Sequence, residues 1–386
     1  MNFNNNPLRD QFLLDPDVVF LNHGSFGACP RPVFEDYQRW QLMLERQPVE
    51  FLGRRSDDLL LVARERLGHY LNTDAANLVY VPNATIGLNT VARSIPLEPG
   101  DEILTTDHEY GALDLTWRFI CSKTGACYIH QPIPLPVTTP EAFIESFWSG
   151  VTSRTRVIFI SHITSPTALI FPIEEICHRA RAAGILTVID GAHVPGQLPL
   201  DLTALDPDFY SGNLHKWLCS PKGSAFLYAR PDQHKMVDPL VISHGWLENN
   251  SFVDQNQWQG TRDLAAFLAV PAAIDFQTEH HWDEVRARCH ILAVETRQRI
   301  ADLTGIAPVS PENWFMQLFS APLPLTTDTV LLKSRLYDEY RVEAPMVVWN
   351  HRQFVRVSIQ GYNSREDADQ LLTGLKTLLP QVEKQS

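Results

Sequence analysis

The chain has 386 residues, 44 % of them hydrophobic, and a formal net charge of -13. That length suffices for two or three domains with sizeable cores. The acidic balance, with no Lys/Arg cluster, excludes nucleic acid and anionic lipid as partners. The opening, MNFNNNPLRDQFLLDP, lacks the basic start and apolar stretch of a signal peptide. No run approaches the ~20 apolar residues that a bilayer requires, so no membrane association is expected and the protein reads as cytoplasmic.

In chain order, an extended VVFLNHGSFGACP leads into a helix over 32–46. Between residues 77 and 230 the β-branched runs NLVYV, DEILTT, CYIHQPI, RVIFISHI, ILTVID, FYSG and SAFLYA alternate with helical stretches. Such alternation implies βαβ units and a mainly parallel sheet covered by helices. Apolar spacing predicts helices over 85–97, 111–124 and 172–183, with Gly125 and Gly184 where C-terminal caps belong. The Pro-rich QPIPLPVTTP, 131–140, reads as a surface connection. From 263 the pattern changes: a helical stretch from DLAAFLAVPAAIDF to about 301 precedes strands WFMQLFS, MVVW and FVRVSI and a closing helix over 364–379. We therefore expect a large domain over 61–262, a smaller α/β domain over 263–386, and an N-terminal segment, 1–60, that packs with the small domain.

Cys29, Cys121, Cys127, Cys177, Cys219 and Cys289 show no paired CxxC spacing, which argues against a zinc site and against a disulfide framework. His280-His281 is the only adjacent histidine pair, and no HExxH accompanies it. No metal is expected.

Three segments at the ends of expected strands carry chemistry together: VPNATIGLN (81–89), VIDGAH (188–193) and YSGNLHKW (210–217). In open α/β sheets ligands sit beyond the carboxyl ends of the strands, where these segments would converge. Asp190 ends an apolar strand, and a carboxylate buried there needs a cation or a donor. A protonated pyridine nitrogen would serve, and a pyridine so protonated acts as an electron sink for an attached amino acid. The bland alternative is a helix N-cap. Lys216, between His215 and Trp217, stands in an apolar and aromatic setting where desolvation favours the neutral amine that forms a Schiff base. A lone lysine is usually a surface residue; the strand-end position and the aspartate before it reverse that reading. The PNATIGL helix start offers free N–H groups to an anion, with Ala84 and Thr85 as phosphate donors. These residues point to pyridoxal 5′-phosphate (PLP). A nicotinamide enzyme is disfavoured because no GxGxxG follows the first strand.

At this point the chain resembles the class V aminotransferase family of fold-type I PLP enzymes, from FLNHGSFGACP to FVRVSIQGYN. The stretches TTDHEYGALD, DGAHVPGQLPLD and SGNLHKWLCSPKGSAFL most resemble its isopenicillin N epimerase-like branch. The resemblance implies α/β architecture with a mainly parallel seven-stranded sheet and a smaller C-terminal α/β domain. It makes Lys216 the Schiff-base lysine, Asp190 the pyridinium partner, and His193 a hydrogen-bonding partner of the ring oxygen in place of a common glutamine. Ser211 and His215 become phosphate ligands, with Asn213 a third candidate. Tyr110 replaces a stacking histidine, and a phenol both stacks and carries a proton. Thr261 in WQGTRD would reach the phosphate of a neighbouring subunit, which implies a homodimer with shared active sites. Arg356 would clamp the substrate carboxylate through its planar fork, with Asn22 and His23 near the substrate.

The resemblance implies an amino-acid substrate and leaves several outcomes open. A persulfide-type desulfurase needs a cysteine shortly before the carboxylate-binding arginine, and RVEAPMVVWNHRQFVR contains none. Epimerisation at Cα, β-elimination of a sulfur-bearing group (a C–S lyase) and transamination remain, the first with Lys216 and Tyr110 as proton carriers on opposite faces.

Overall fold

The computed structural model describes residues 8–247 and 249–383; residues 1–7, part of the opening read above as lacking a signal peptide, lie outside the described residues. A short strand, β1 (Val19–Phe20), precedes the helix Arg31–Arg46. Then come β2 (Leu78–Val81), β3 (Glu102–Thr106), β4 (Cys127–Gln131), β5 (Thr155–Ser161), β6 (Leu186–Asp190), β7 (Phe209–Asn213) and β8 (Ala225–Ala229), which form a seven-stranded sheet. Its order is β2-β8-β7-β6-β5-β3-β4, and β8 alone runs antiparallel to its neighbours. Every β5 residue but one is buried, as is every β6 residue after the first. Continuous apolar runs of this kind are what a parallel sheet covered on both faces requires.

From β3 the chain moves outward to β4, whereas from β5 it moves the other way to β6. Loops leaving the carboxyl ends diverge at such a point and leave a crevice between them. The helices Ala84–Ser94, Gly111–Thr124 and Ile173–Ala183 follow β2, β3 and β5, the last two ended as expected by left-handed Gly125 and Gly184.

The C-terminal part adds β9 (Leu318–Leu323), β10 (Val342–Glu343), β11 (Met346–Trp349) and β12 (Arg352–Ser358). Three of these form an antiparallel sheet in the order β11-β12-β9, while β10 pairs in parallel with β1. The β1–β10 ladder ties the N-terminal segment to this part of the molecule, and the helix Arg31–Arg46 packs on the helices Ala265–Leu268 and Val270–Glu279. The helix Ser56–Leu71 runs across residue 60.

Three local expectations change. The stretch 131–140 is not superficial, because Ile133, Leu135 and Val137 are buried, and Pro140 opens a helix, Pro140–Trp148, capped by Thr139. Proline at the first helical position gives up only an N–H that has no partner within the helix. The long helical stretch is three helices, Ala265–Leu268, Val270–Glu279 and Trp282–Thr304, interrupted at His281 where φ is 50°. The strand expected at 314 begins at Leu318. Among the described residues no helix is long and apolar enough to cross a membrane.

Candidate active site

A cavity of about 600 Å³ lies where the loops leave the carboxyl ends of β2, β3, β5, β6 and β7. Lys216, Asp190, His193 and Tyr110 all line it. Lys216 follows β7 in a turn anchored by Leu214 and His215, whose N–H groups both donate to the Ser224 carbonyl. Gly27 packs directly on this turn: its φ is 71°, and a Cβ there would fall 1.9 Å from the His215 carbonyl oxygen. Glycine is required on both counts.

Lys216 Nζ sits 3.1 Å from His193 Nε2. Burial and the nearby Arg356 lower its pKa to about 7, against the pull of Asp190. Asp190 ends β6, is 4 % exposed, and accepts the Ala192 N–H at 2.9 Å. Burial lifts its carboxyl to about 6, opposed by that hydrogen bond and by Lys216. Arg356, on β12, is 7 % exposed. Its Nη1 donates to the Ser165 carbonyl at 2.7 Å and to Ser165 Oγ, and its Nη2 donates to Ser25 Oγ at 3.0 Å. Its Nε is buried with no partner among the described residues, and burial lowers the group to about 10. Arg356 itself does not line the cavity, but Ser25 and Ser165, which hold it, do; a buried cation without a carboxylate is costly, so the position suits an anion.

Asn22 and His23, expected near the substrate, do not line the cavity. Asn22 donates to Glu343 Oε1 and accepts the Ser25 hydroxyl at 2.5 Å, so it holds the serine that meets Arg356. His23 is fully buried between the Tyr362 hydroxyl and the Lys216 carbonyl, which its Nε2 reaches at 2.9 Å. Both support the machinery from behind.

The phosphate expectations also divide. Asn83 caps the helix Ala84–Ser94 by accepting the Ile86 N–H. The Ala84 N–H, expected to meet phosphate, donates to Asn213 Oδ1 at 2.8 Å, so Asn213 completes the helix start. Thr85 keeps its N–H free of protein partners among the described residues, and its side chain borders the cavity. The Ser211 hydroxyl donates to the Phe226 carbonyl at 2.7 Å beneath Gly87 and does not reach the cavity, so its only proton is already committed. His215 lines the cavity while its Nδ1 bonds the Ser224 carbonyl, and burial lowers it to about 4. Thr261 is exposed on a loop and lines no part of its own chain's cavity.

Several residues went unnoticed in the sequence. Ser25 and Ser165 hold Arg356, and Phe26 and Ile163 add apolar wall. Glu109 is buried near Asp190, accepting from Thr106, the Ser161 N–H and the Ser161 hydroxyl, and burial lifts it to about 8. The SHITSPT stretch after β5 was a visible signal, since small polar residues at the carboxyl end of a parallel strand sit in the crevice. Among the described residues no group of three or more His, Cys, Asp or Glu could hold a metal ion.

The residues present fit PLP: an amine whose pKa is lowered to about 7, a buried carboxylate with no direct ion pair among the described residues, and a helix start with a free N–H. The family model for aminotransferase class-V matches residues 33–317. The chain belongs to the class-V aminotransferase family. Members are PLP enzymes, and the expected cofactor and fold type hold for this chain. It is 37 % identical over 388 residues to isopenicillin N epimerase of Amycolatopsis lactamdurans, covering 96 % of this chain and 97 % of that one. Putative L-cysteine desulfhydrase 1 of Oryza sativa subsp. japonica is 29 % identical, covering 94 % and 83 %. Among solved structures, a C-DES mutant with glycine covalently linked to its PLP cofactor matches with a TM-score of 0.82 at 20 % identity, covering 96 % of this chain and 99 % of that one. A likeness at that identity concerns the fold.

Proposed function

We propose that this class-V family member is an amino-acid epimerase that exchanges the proton at Cα, with Lys216 as the residue that carries PLP. The observation that carries the reading is one cavity with Lys216 after β7, Tyr110 after β3, and β6 and β5 between them. Bound PLP supplies an electron-withdrawing ring through which a bond at Cα of the attached amino acid breaks heterolytically.

The chain's own groups do the rest. Lys216, with its pKa near 7, accepts the Cα proton on one face, where a base poised near the working pH is most effective. The Tyr110 hydroxyl returns a proton on the other face and refills from solvent, to which the side chain is 45 % open. Asp190 balances positive charge on the ring nitrogen, and His193 donates to the ring oxygen. The free Thr85 N–H would meet the phosphate, while His215, whose Nδ1 proton is committed to the Ser224 carbonyl, lines the cavity beside it. Arg356, held by Ser25 and Ser165, takes the substrate carboxylate and fixes which bond at Cα stands ready to break. The reading includes a homodimer in the cytoplasm, with Thr261 of a second copy reaching this phosphate. Support comes from exposed apolar side chains, among them Phe26 at 72 % on the cavity wall.

The 37 % identity to an isopenicillin N epimerase favours this reading and makes isopenicillin N the first substrate to try. The desulfhydrase likeness favours a second, β-elimination from cysteine, cystine or a cysteine conjugate, for which Lys216 alone suffices as base. Transamination would need the same lysine. The hairpin β11–β12, MVVWNHRQFVRVS, holds no cysteine to carry a persulfide, which disfavours a desulfurase. A panel of L-amino acids in deuterated water tests these alternatives. Deuterium at Cα with D-isomer formation is the expected result; pyruvate with ammonia, or a 2-oxo acid, would replace the epimerase reading. A Tyr110→Phe variant should keep exchange at Cα yet form no inverted product. Lys216→Ala should abolish the yellow colour of the lysine-linked cofactor.

A further inference from the structure

Trp217 is fully buried beside the reactive lysine, and its indole N–H is a donor with no acceptor capacity. That N–H donates to His193 Nδ1 at 3.3 Å. Nδ1 therefore offers its lone pair, and in the neutral ring the proton resides on Nε2. Nε2 in turn faces Lys216 Nζ at 3.1 Å. Opposite an ammonium, that N–H would set donor against donor; opposite a neutral amine it makes a hydrogen bond. Burial, with Lys216, Arg356, His23 and His215 around it, keeps the imidazole uncharged.

We propose that Trp217 is a positioning residue that holds His193 in its Nε2–H tautomer, so that Lys216 meets a hydrogen-bond donor and is selected as the neutral, nucleophilic amine. Both ends of the relay are anchored. The Trp217 carbonyl accepts from Gln277 at 2.8 Å, and the His193 carbonyl accepts from Gln197 at 2.8 Å. Gly196, with φ of 89°, passes so close that a Cβ there would stand 2.2 Å from the Trp217 carbonyl carbon. The indole thus has little freedom to turn away. A glutamine at position 193 would present an amide N–H with no tautomer to select, so the indole acquires this role because histidine stands there.

The inference rests on the reading that Lys216 carries PLP, and its test has a separate arm for each. In the cofactor-free full chain labelled with nitrogen-15 at histidine, long-range proton–nitrogen correlation reports each ring's tautomer, and His193→Gln identifies the signal. The expected result is Nε2–H at His193, converting to a mixture or to Nδ1–H in Trp217→Phe. In the second arm, capture of added PLP is followed by the colour of the lysine-linked cofactor as pH is varied. Trp217→Phe should raise the midpoint by about one unit, slowing capture below it about tenfold. In a His193→Gln background the same substitution should leave the midpoint where His193→Gln alone puts it. Nδ1–H in the wild-type ring, or an equal midpoint shift in both backgrounds, would overturn the proposal and leave Trp217 a packing residue. If PLP fails to attach to Lys216 in the wild-type chain, the functional reading falls while the tautomer result stands.

Discussion

Arg356 shows at the scale of one residue what a buried charge asks of its surroundings. Its guanidinium is held by two serines and a carbonyl, and among the described residues no carboxylate stands against it and Nε has no partner. Lysine in its place would keep the charge and lose the fork. Arg356→Lys should therefore raise KM and lower kcat/KM by about 10- to 100-fold, an effect of about 2 kcal/mol. The colour of the bound cofactor should be unchanged, so that a variant unable to take up PLP would count against a substrate-binding role. That Lys216 and Asp190 meet at one cavity was legible because the chemistry names the residue type and the motif names the strand end. Asn22 and His23, expected near the substrate, do not line the cavity, because a motif gives proximity and says nothing about direction. Their side chains turn toward Ser25, Glu343 and the Lys216 carbonyl, and the last two contacts link positions some 190 to 320 residues apart in the chain.

At the scale of elements, the start of the helix Ala84–Ser94 is the most exacting piece of local structure. Asn83 accepts the Ile86 N–H and Asn213 accepts that of Ala84, which leaves the Thr85 N–H free among the described residues at the edge of the cavity. Loss of such a cap costs about 1 kcal/mol. Asn83→Ala should lower the urea midpoint accordingly and weaken PLP binding several-fold, measured by titration of the cofactor-free protein. Unchanged PLP affinity would detach this helix start from the phosphate. The helix itself was readable from apolar spacing, as were the two that follow β3 and β5. The division of labour among Ala84, Thr85 and Asn213 was not, because β7 lies beside β6 in the sheet but far from β2 in the chain, and only folding brings Asn213 to Ala84. The helix Pro140–Trp148 was overlooked for a different reason: prolines marked the segment as irregular, while Phe143, Ile144 and Phe147 bury one face of it.

For the whole molecule, several buried or half-buried histidines contribute to the response to acid. His162 is lowered to about 4 by burial, His215 to about 4 and His23 to about 3. A histidine that is harder to protonate folded than unfolded binds fewer protons in the native state. Stability is then highest above about pH 6.5 and falls as pH drops toward the native values. Buried Glu109 and Asp190, both raised, act with the opposite sign, so a variant isolates the histidine contribution. Chemical denaturation of His162→Asn at pH 7 and pH 5 should show about 2 kcal/mol less pH-dependent loss than the wild type; an equal loss in both would mean that His162 is not buried neutral. The sequence by itself determined the alternation of strand and helix, the strand ends that carry Asp190 and Lys216, and family and cofactor, because β-branched runs and a reactive amine beside an apolar strand are local signals. Only the tertiary structure decided that Ser25 and Ser165 hold Arg356, that Ser211 is turned away beneath Gly87, and that Trp217 reaches Lys216 through His193. Those contacts join distant parts of the chain, and their direction is set by packing, which no local pattern encodes.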